Sequence, residues 1–97
     1  MPEEQRPPRP KEATALRYEQ GSNAPQVVAT GRGQIAERII AEARKAGIPV
    51  RDEPALAEAL AKLPIDTEIP PELYTAVAET LAWAYRLDAR RARQRRG

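Results

Sequence analysis

The sequence predicts an α/β fold, a small mixed sheet with helices packed on it, in the order β-β-α-β-α-α. Two short stretches with strand character lie near the start, an amphipathic helical stretch separates the second of them from a third, and two more helical stretches follow. At 97 residues the chain is long enough for one domain. A domain of this size buries only about 60% of its unfolded surface.

The first predicted strand covers residues 13–18, because a period of two places Thr14, Leu16 and Tyr18 on one side. A loop with Gly, Ser and Asn follows, and Pro25 opens a second strand over residues 26–30. The two strands are close enough in sequence to pair antiparallel. We interpret Gly31-Arg32-Gly33 as a tight turn into a helix, because the full spacing of a phosphate-binding loop is missing.

A helix is predicted over residues 34–46, where isoleucine and alanine recur every three or four positions. Gly47 stands where a C-terminal cap belongs, and Pro49 follows it. Ile48–Arg51 is predicted as a short third strand. Strand, helix and strand would then form a βαβ unit, so the second and third strands are expected to run parallel.

Two more helices complete the predicted fold. Asp52 is expected to cap the first of them, with Pro54 in its opening turn, where proline is tolerated. The last helix begins at Pro71, and Arg90–Arg96 at its end are expected to fray into solvent. Because three short strands are few, one sheet edge is expected to stay open unless something covers it.

The composition excludes several classes of function. The chain has no cysteine and no histidine, so a disulfide framework, the commonest general base and the commonest metal ligands are missing. We therefore expect no metal site, no cofactor and no enzymatic activity. No apolar run approaches the about 20 residues of a membrane span, and the N-terminus lacks the apolar core of a secretory signal. A cytoplasmic location is expected.

Proline and charge divide the chain into three parts. Residues 1–12, with four prolines, are predicted to be disordered, residues 13–88 to form the domain, and residues 89–97 to be a basic tail. Arginine is concentrated in the tail, and the rest of the chain carries a net negative charge, which argues against a nucleic-acid-binding face on the domain. Binding of nucleic acid or of an anionic membrane surface through Arg90–Arg96 is the alternative function, with lipid the better of the two.

Two strings of residues resemble one known family. The first is Ala15-Leu16-Arg17-Tyr18 followed by residues 24–33, and the second is Ile-Pro-Pro-Glu-Leu-Tyr at residues 69–74 followed by residues 76–83. Over residues 13–88 the chain resembles the cytosolic domain of the export-switch proteins of flagella and type III secretion, the FlhB/YscU/EscU-like family. In that family the domain hangs from a membrane portion in the export gate. It cleaves itself at an Asn-Pro-Thr-His turn, just before the strand that matches residues 13–18.

The sequence departs from the family at that turn. Pro8-Arg9-Pro10-Lys11 stand at the four positions of the motif. Because proline has no side-chain amide to attack its own main-chain carbonyl, cleavage by the family's route is excluded. The resemblance thus implies a stand-alone, non-catalytic accessory of protein export, cytoplasmic and peripheral at the inner-membrane export gate. It would dock export substrates or complement a full-length export-switch protein.

The resemblance also implies two protein-binding sites, with export substrates and export-gate membrane proteins as the partners. The first is a small apolar patch that receives an export signal in the flagellar members, and its positions here are Ala24, Pro25, Ala78 and Leu81. The second is the sheet edge left open without the strand that precedes the cleavage turn, formed by Ala13, Thr14, Ala15, Leu16, Arg17 and Tyr18. Taken from the residues alone, Ala78 and Leu81 are as well explained as core positions of an amphipathic helix.

Overall fold

The computed structural model describes residues 11–96, except for the side chain of Arg96. The elements in chain order are β1 (Glu12–Arg17), β2 (Gln26–Arg32), α1 (Gln34–Lys45), α2 (Pro54–Leu60), a short 3₁₀ turn (Pro71–Leu73) and α3 (Tyr74–Arg96). The predicted α/β class is confirmed. The predicted disorder of residues 1–10 lies outside the described residues, whereas Glu12 already belongs to β1.

β1 and β2 form an antiparallel pair. Glu12 stands opposite Arg32, and their side chains form an ion pair of 3.4 Å. The register shifts after Ala15, because Val28 is an extra residue on β2 and makes a bulge there. β2 continues to Arg32, so Gly31 lies in the strand and only Gly33, with a φ of 58°, makes the turn into α1.

The predicted third strand at Ile48–Arg51 is wrong, and with it the parallel βαβ pairing. Within residues 11–96 the sheet has two strands, and residues 48–53 are irregular. The backbone N–H of Ile48 is bonded to the carbonyl of Ala43 at 2.8 Å, which ends α1, and Pro49 has no N–H to give to a ladder.

A different segment covers the start of the outer edge of β2. The N–H of Val27 donates to the carbonyl of Thr67 at 3.0 Å, and the N–H of Asp66 donates to the carbonyl of Val27 at 2.7 Å. Gln26 and Glu68 form an isolated antiparallel bridge. The outer edge of β2 at Gln26 and Val27 is therefore paired with residues 66–69 and is not free for a third strand.

Small residues line the contact between α1 and the hairpin. Ala13 and Ala36 are buried, and α1 packs on both strands. A Cβ placed on Gly31 would lie 2.9 Å from the Cβ of Ile35, closer than such atoms approach in proteins. Glycine at this position therefore permits α1 to come close to β2.

The main hydrophobic core lies among β2, α2 and the first half of α3. We call its buried members the central cluster: Ala24, Val27, Leu60, Ile69 and Val77. Val27 and Val77 are fully buried. Partly buried leucines pack around the cluster at positions 16, 56, 63, 73 and 81.

Two helix ends differ from the prediction. Glu53, not Asp52, is the N-cap residue of α2, and it makes no capping hydrogen bond with its side chain. α3 does not fray at Arg90 but remains helical to Arg96, since arginine, alanine and glutamine are good helix formers and no proline or glycine interrupts them. At 1.5 Å per residue the 23 residues of α3 make a rod of roughly 35 Å.

Candidate protein-docking site

Ala24 and Pro25 form the first half of the predicted patch, where the loop after β1 enters β2. Ala24 is 4% exposed and belongs to the central cluster, and Pro25 is buried as well. The carbonyl of Pro25 accepts a hydrogen bond of 3.0 Å from the N–H of Ile69, which ties this corner to the segment before α3. Side chains with so little exposed surface can shape the base of a docking site but offer little contact area themselves.

Ala78 and Leu81 form the second half of the patch, about one turn apart on α3. Leu81 is half-buried and packs against the central cluster, so the structure brings it together with Ala24. Ala78 is exposed and lies outside that cluster. The accessible surface of the patch therefore comes from Ala78 and from the outer part of Leu81.

Two exposed tyrosines extend this surface along α3. Tyr74 is 45% exposed and Tyr85 is 57% exposed. Residues 74, 78, 81 and 85 follow at intervals of four, three and four, which places them on one side of the helix. This docking row is about 16 Å long. Only its two middle members belong to the patch that the resemblance implies. The sequence spacing places the two tyrosines on the same side of α3 as Ala78 and Leu81, but only the structure shows that both tyrosines are exposed to solvent.

The outer edge of β1 is the second candidate site. The N–H of Gly33 donates to the carbonyl of Lys11 at 2.7 Å, so Lys11 and Gly33 are a hydrogen-bonded pair in this register. Hydrogen-bonded pairs alternate with non-hydrogen-bonded pairs along an antiparallel ladder. The backbone groups of Ala13 and Ala15 therefore point toward β2, and those of Thr14 and Leu16 point outward. Of the six predicted edge residues, Thr14 and Leu16 therefore present free backbone groups.

Glu12 also belongs to this outward set and was not among the predicted edge residues. Tyr18 lies beyond the end of β1 and is 40% exposed. Within residues 11–96, no backbone hydrogen bond reaches the outward groups of Glu12, Thr14 or Leu16. The edge thus offers three positions, spaced two residues apart, at which a further strand could pair.

A polar network joins the segment before α2 to another side of α3. The hydroxyl of Thr80 donates to Oε2 of Glu53 at 2.9 Å, and Oε1 of Glu53 lies 3.6 Å from Nη2 of Arg51. The guanidinium carbon of Arg51 lies 5.7 Å from the ring centroid of Trp83, which is half-buried. One face of the indole is therefore covered by a cation of the same chain.

The basic end of α3 is attached to the end of α1. Nη1 of Arg91 donates to the carbonyl of Gly47 at 3.1 Å, and the same nitrogen lies 4.0 Å from Oδ1 of Asp88. Of the predicted basic segment Arg90–Arg96, Arg91 therefore already has a partner within the domain. Neighbouring arginines at positions 90, 93 and 95 are exposed.

The described residues offer contact surfaces rather than a constellation of reactive groups. In the range 11–96, no group of three or more acidic, histidine or cysteine side chains is placed to hold a metal ion. Nor is any helix of that range both long and apolar enough to cross a membrane. What the arrangement provides is an apolar row on α3 and a strand edge on β1.

Comparisons with known proteins support one family. A family model described as the FlhB HrpN YscU SpaS family matches residues 11–84. The chain is 46% identical over 79 residues to YlqH, an uncharacterized protein of Bacillus subtilis (strain 168), covering 80% of this chain and 85% of that protein. It is 42% identical over 77 residues to the flagellar biosynthetic protein FlhB of Escherichia coli (strain K12), covering 77% of this chain and 20% of that protein. The chain thus spans about a fifth of the flagellar relative.

A solved structure agrees with this match. The crystal structure of the cytoplasmic domain of FlhB from Shewanella putrefaciens is similar to the chain with a TM-score of 0.78 and 34% identity. The similarity covers 84% of this chain and 68% of that domain. The likeness therefore extends from the sequence strings to the arrangement of the helices and strands.

Proposed function

The chain belongs to the FlhB HrpN YscU SpaS family, and on that basis we propose that it is a non-catalytic accessory of flagellar or type III protein export. The observation that carries the proposal is that residues 11–84 match the family. Counted back from Ala15-Leu16-Arg17-Tyr18, Pro8 falls at the position of the asparagine in the self-cleaving members, so the proposed role involves no self-cleavage. The chain then acts by binding other proteins, in the cytoplasm and at the periphery of the export gate.

Export substrates are the first class of partner. A short apolar export signal would lie along the docking row, over Ala78 and Leu81 and against the base formed by Ala24 and Pro25. Burying a few hundred Å² of apolar surface at about 25 cal/mol per Å² gives a modest free energy, which suits a partner that must be released again. The tyrosines at the ends of the row add aromatic contact area.

A variant at Ala78 tests this site cleanly. Ala78 is exposed, so Ala78→Asp leaves the central cluster intact but places a charge in the middle of the row. We expect it to weaken binding to a purified rod or hook subunit of the same cell about tenfold or more, measured by titration calorimetry. Leu81→Asp should weaken binding further, provided that circular dichroism shows that the variant is folded. The matched control is Ala41→Asp on the exposed side of α1; equal losses for the two alanine variants would contradict the site.

A full-length export-switch protein is the second class of partner, and strand pairing on β1 is the proposed mode. Thr14→Pro removes one outward N–H without removing a backbone hydrogen bond to β2, although it also loses the 3.3 Å hydrogen bond between the hydroxyls of Thr14 and Thr30. The domain should therefore fold but lose the partner. Ala15→Pro removes an inward N–H and should instead destabilise the domain itself. Pull-down of the detergent-solubilised partner, with thermal unfolding of both variants, separates the effects. Undiminished capture by folded Thr14→Pro would rule out strand pairing at this edge.

Binding of nucleic acid or an anionic membrane through Arg90–Arg96 is not supported by the family match, which ends at residue 84. One of these arginines also has a partner inside the domain, since Arg91 bonds to Gly47. These observations favour protein docking over binding of nucleic acid or a membrane.

A further inference from the structure

A cleft lies between the C-terminal end of α1 and the second half of α3, away from the docking row and from the β1 edge. Its volume is about 330 Å³. Two arginines and three aliphatic side chains line it, together with a glycine: Arg44, Gly47, Ile48, Val50, Leu87 and Arg91. The function proposed above does not use these residues.

The cationic side of the cleft is incompletely neutralised. The side chain of Arg44 has no hydrogen bond or ion pair with any residue in the described part of the chain, although its carbonyl accepts from the N–H of Gly47 at 3.0 Å. Arg91 donates to the carbonyl of Gly47, and Asp88 lies at 4.0 Å, the outer limit of an ion pair. A guanidinium carries five N–H donors, so Arg91 retains donors for a further acceptor. These two side chains favour a ligand with a negative charge.

The other side of the cleft is apolar. Ile48 is 57% exposed, an unusual degree for a large aliphatic side chain, and Val50 and Leu87 are half-buried beside it. A ligand that carried only charge would leave this wall in water. A ligand with an aliphatic group next to an acidic group would cover it and meet both arginines.

We propose that this cleft binds an acidic, aliphatic segment of a partner protein, with a glutamate or aspartate carboxylate on Arg44 and Arg91 and an adjacent leucine, isoleucine or valine side chain against Ile48. The charge of Arg44 and Arg91 selects the acidic residue, and the apolar wall of Ile48, Val50 and Leu87 selects the aliphatic one. A peptide fits such a small concave site better than a membrane does, since a lipid surface needs apolar groups that project outward.

Titration of the isotope-labelled full-length chain with a short peptide tests this inference by NMR. The probe is acetyl-Leu-Glu-Leu-Glu-amide, and the reference peptide is acetyl-Leu-Lys-Leu-Lys-amide. We expect saturable amide shifts at Gly47, Ile48, Leu87 and Arg91 with the glutamate peptide only, weakening as NaCl is raised from about 50 mM to about 500 mM. Shifts spread over all arginines, or equal shifts with the lysine peptide, would overturn the proposal.

Matched variants make the assignment specific. Arg44→Glu should weaken the peptide about tenfold or more, and Ile48→Ser should weaken it about threefold or more, both with unchanged circular dichroism. Arg38→Glu makes the same charge change on an exposed residue of α1 that does not line the cleft, and should leave the affinity unchanged. An equal effect of Arg38→Glu would show nonspecific attraction and refute the site. Binding to phosphatidylglycerol-containing vesicles without peptide binding would also refute it. Because Ala78→Asp lies outside the cleft, that variant separates failure of this site from failure of the docking row.

Discussion

Residues 74–85 of α3 and residues 86–96 of the same helix contact the domain in different ways. The first half buries Val77 fully and packs Leu81 against the central cluster. The second half contributes half-buried Leu87 and one hydrogen bond from Arg91. One half is therefore held mainly by apolar burial and the other mainly by a charged side chain at the surface. One continuous helix thus forms part of the core at one end and a solvent-exposed surface at the other.

Truncation of Val77 should have the largest effect on this contrast. Val77→Ala removes two buried carbon atoms and leaves a cavity in the central cluster, so we expect the free energy of unfolding to fall by about 2 kcal/mol. Leu87→Ala removes three carbon atoms from the second half but should cost less, about 1 kcal/mol, because Leu87 is only half-buried. Urea denaturation measures both. If Leu87→Ala cost as much as Val77→Ala, the two halves would not differ as described.

Loss of the Thr80 hydroxyl should have an intermediate effect. Thr80→Val keeps the shape of the side chain but removes the hydroxyl, which donates to Oε2 of Glu53 at 2.9 Å and lies 3.2 Å from the carbonyl of Ala76. We expect a loss of about 1 kcal/mol in the free energy of unfolding. Thr75→Val is the control, because Thr75 is exposed and has no side-chain hydrogen bond in the described part of the chain. Indistinguishable denaturation midpoints for the two variants would mean that the hydrogen bonds of the Thr80 hydroxyl do not stabilise the domain.

Neutralisation of Arg91 should have the smallest effect on global stability. Arg91→Gln loses an exposed interaction, so the free energy of unfolding should change by no more than about 0.5 kcal/mol. Local protection should change more: amide hydrogen exchange should accelerate over residues 86–96 and stay unchanged over residues 74–85. Arg93→Gln, at an exposed arginine without a partner in the described range, should leave both halves unaltered. Uniform exchange across α3 in Arg91→Gln would remove the role given to the bond with Gly47.

Much of the fold follows from local patterns in the sequence. The hairpin and the helices were predicted because alternation, periodic apolar residues and the glycine after α1 are local signals. The prediction of a third strand was wrong because Ile48–Arg51 has the composition of a strand but needs a free edge of β2 to pair with. Whether that edge is free depends on tertiary packing. Residues 66–69 pair with the start of β2 instead, and no local sequence pattern predicts this pairing.

The candidate site was predictable as a set of positions but not as a surface. The resemblance implied Ala24, Pro25, Ala78 and Leu81, and in the structure Leu81 packs against the central cluster, to which Ala24 belongs. The resemblance alone does not show that Ala24 and Pro25 are buried while Ala78 is exposed, since alanine is common in both environments. The role of these residues in binding stays a prediction.

The close approach of α1 to Gly31 fixes where β2 lies beneath the helix. If β2 slipped by one residue relative to α1, Thr30 or Arg32 would have to occupy the place of Gly31, and the side chain of Ile35 leaves no room there for a Cβ. The slip would also move every side chain of β2 to the opposite face of the sheet. A strand that adds to β1 would therefore join a hairpin whose second strand is held in place by α1.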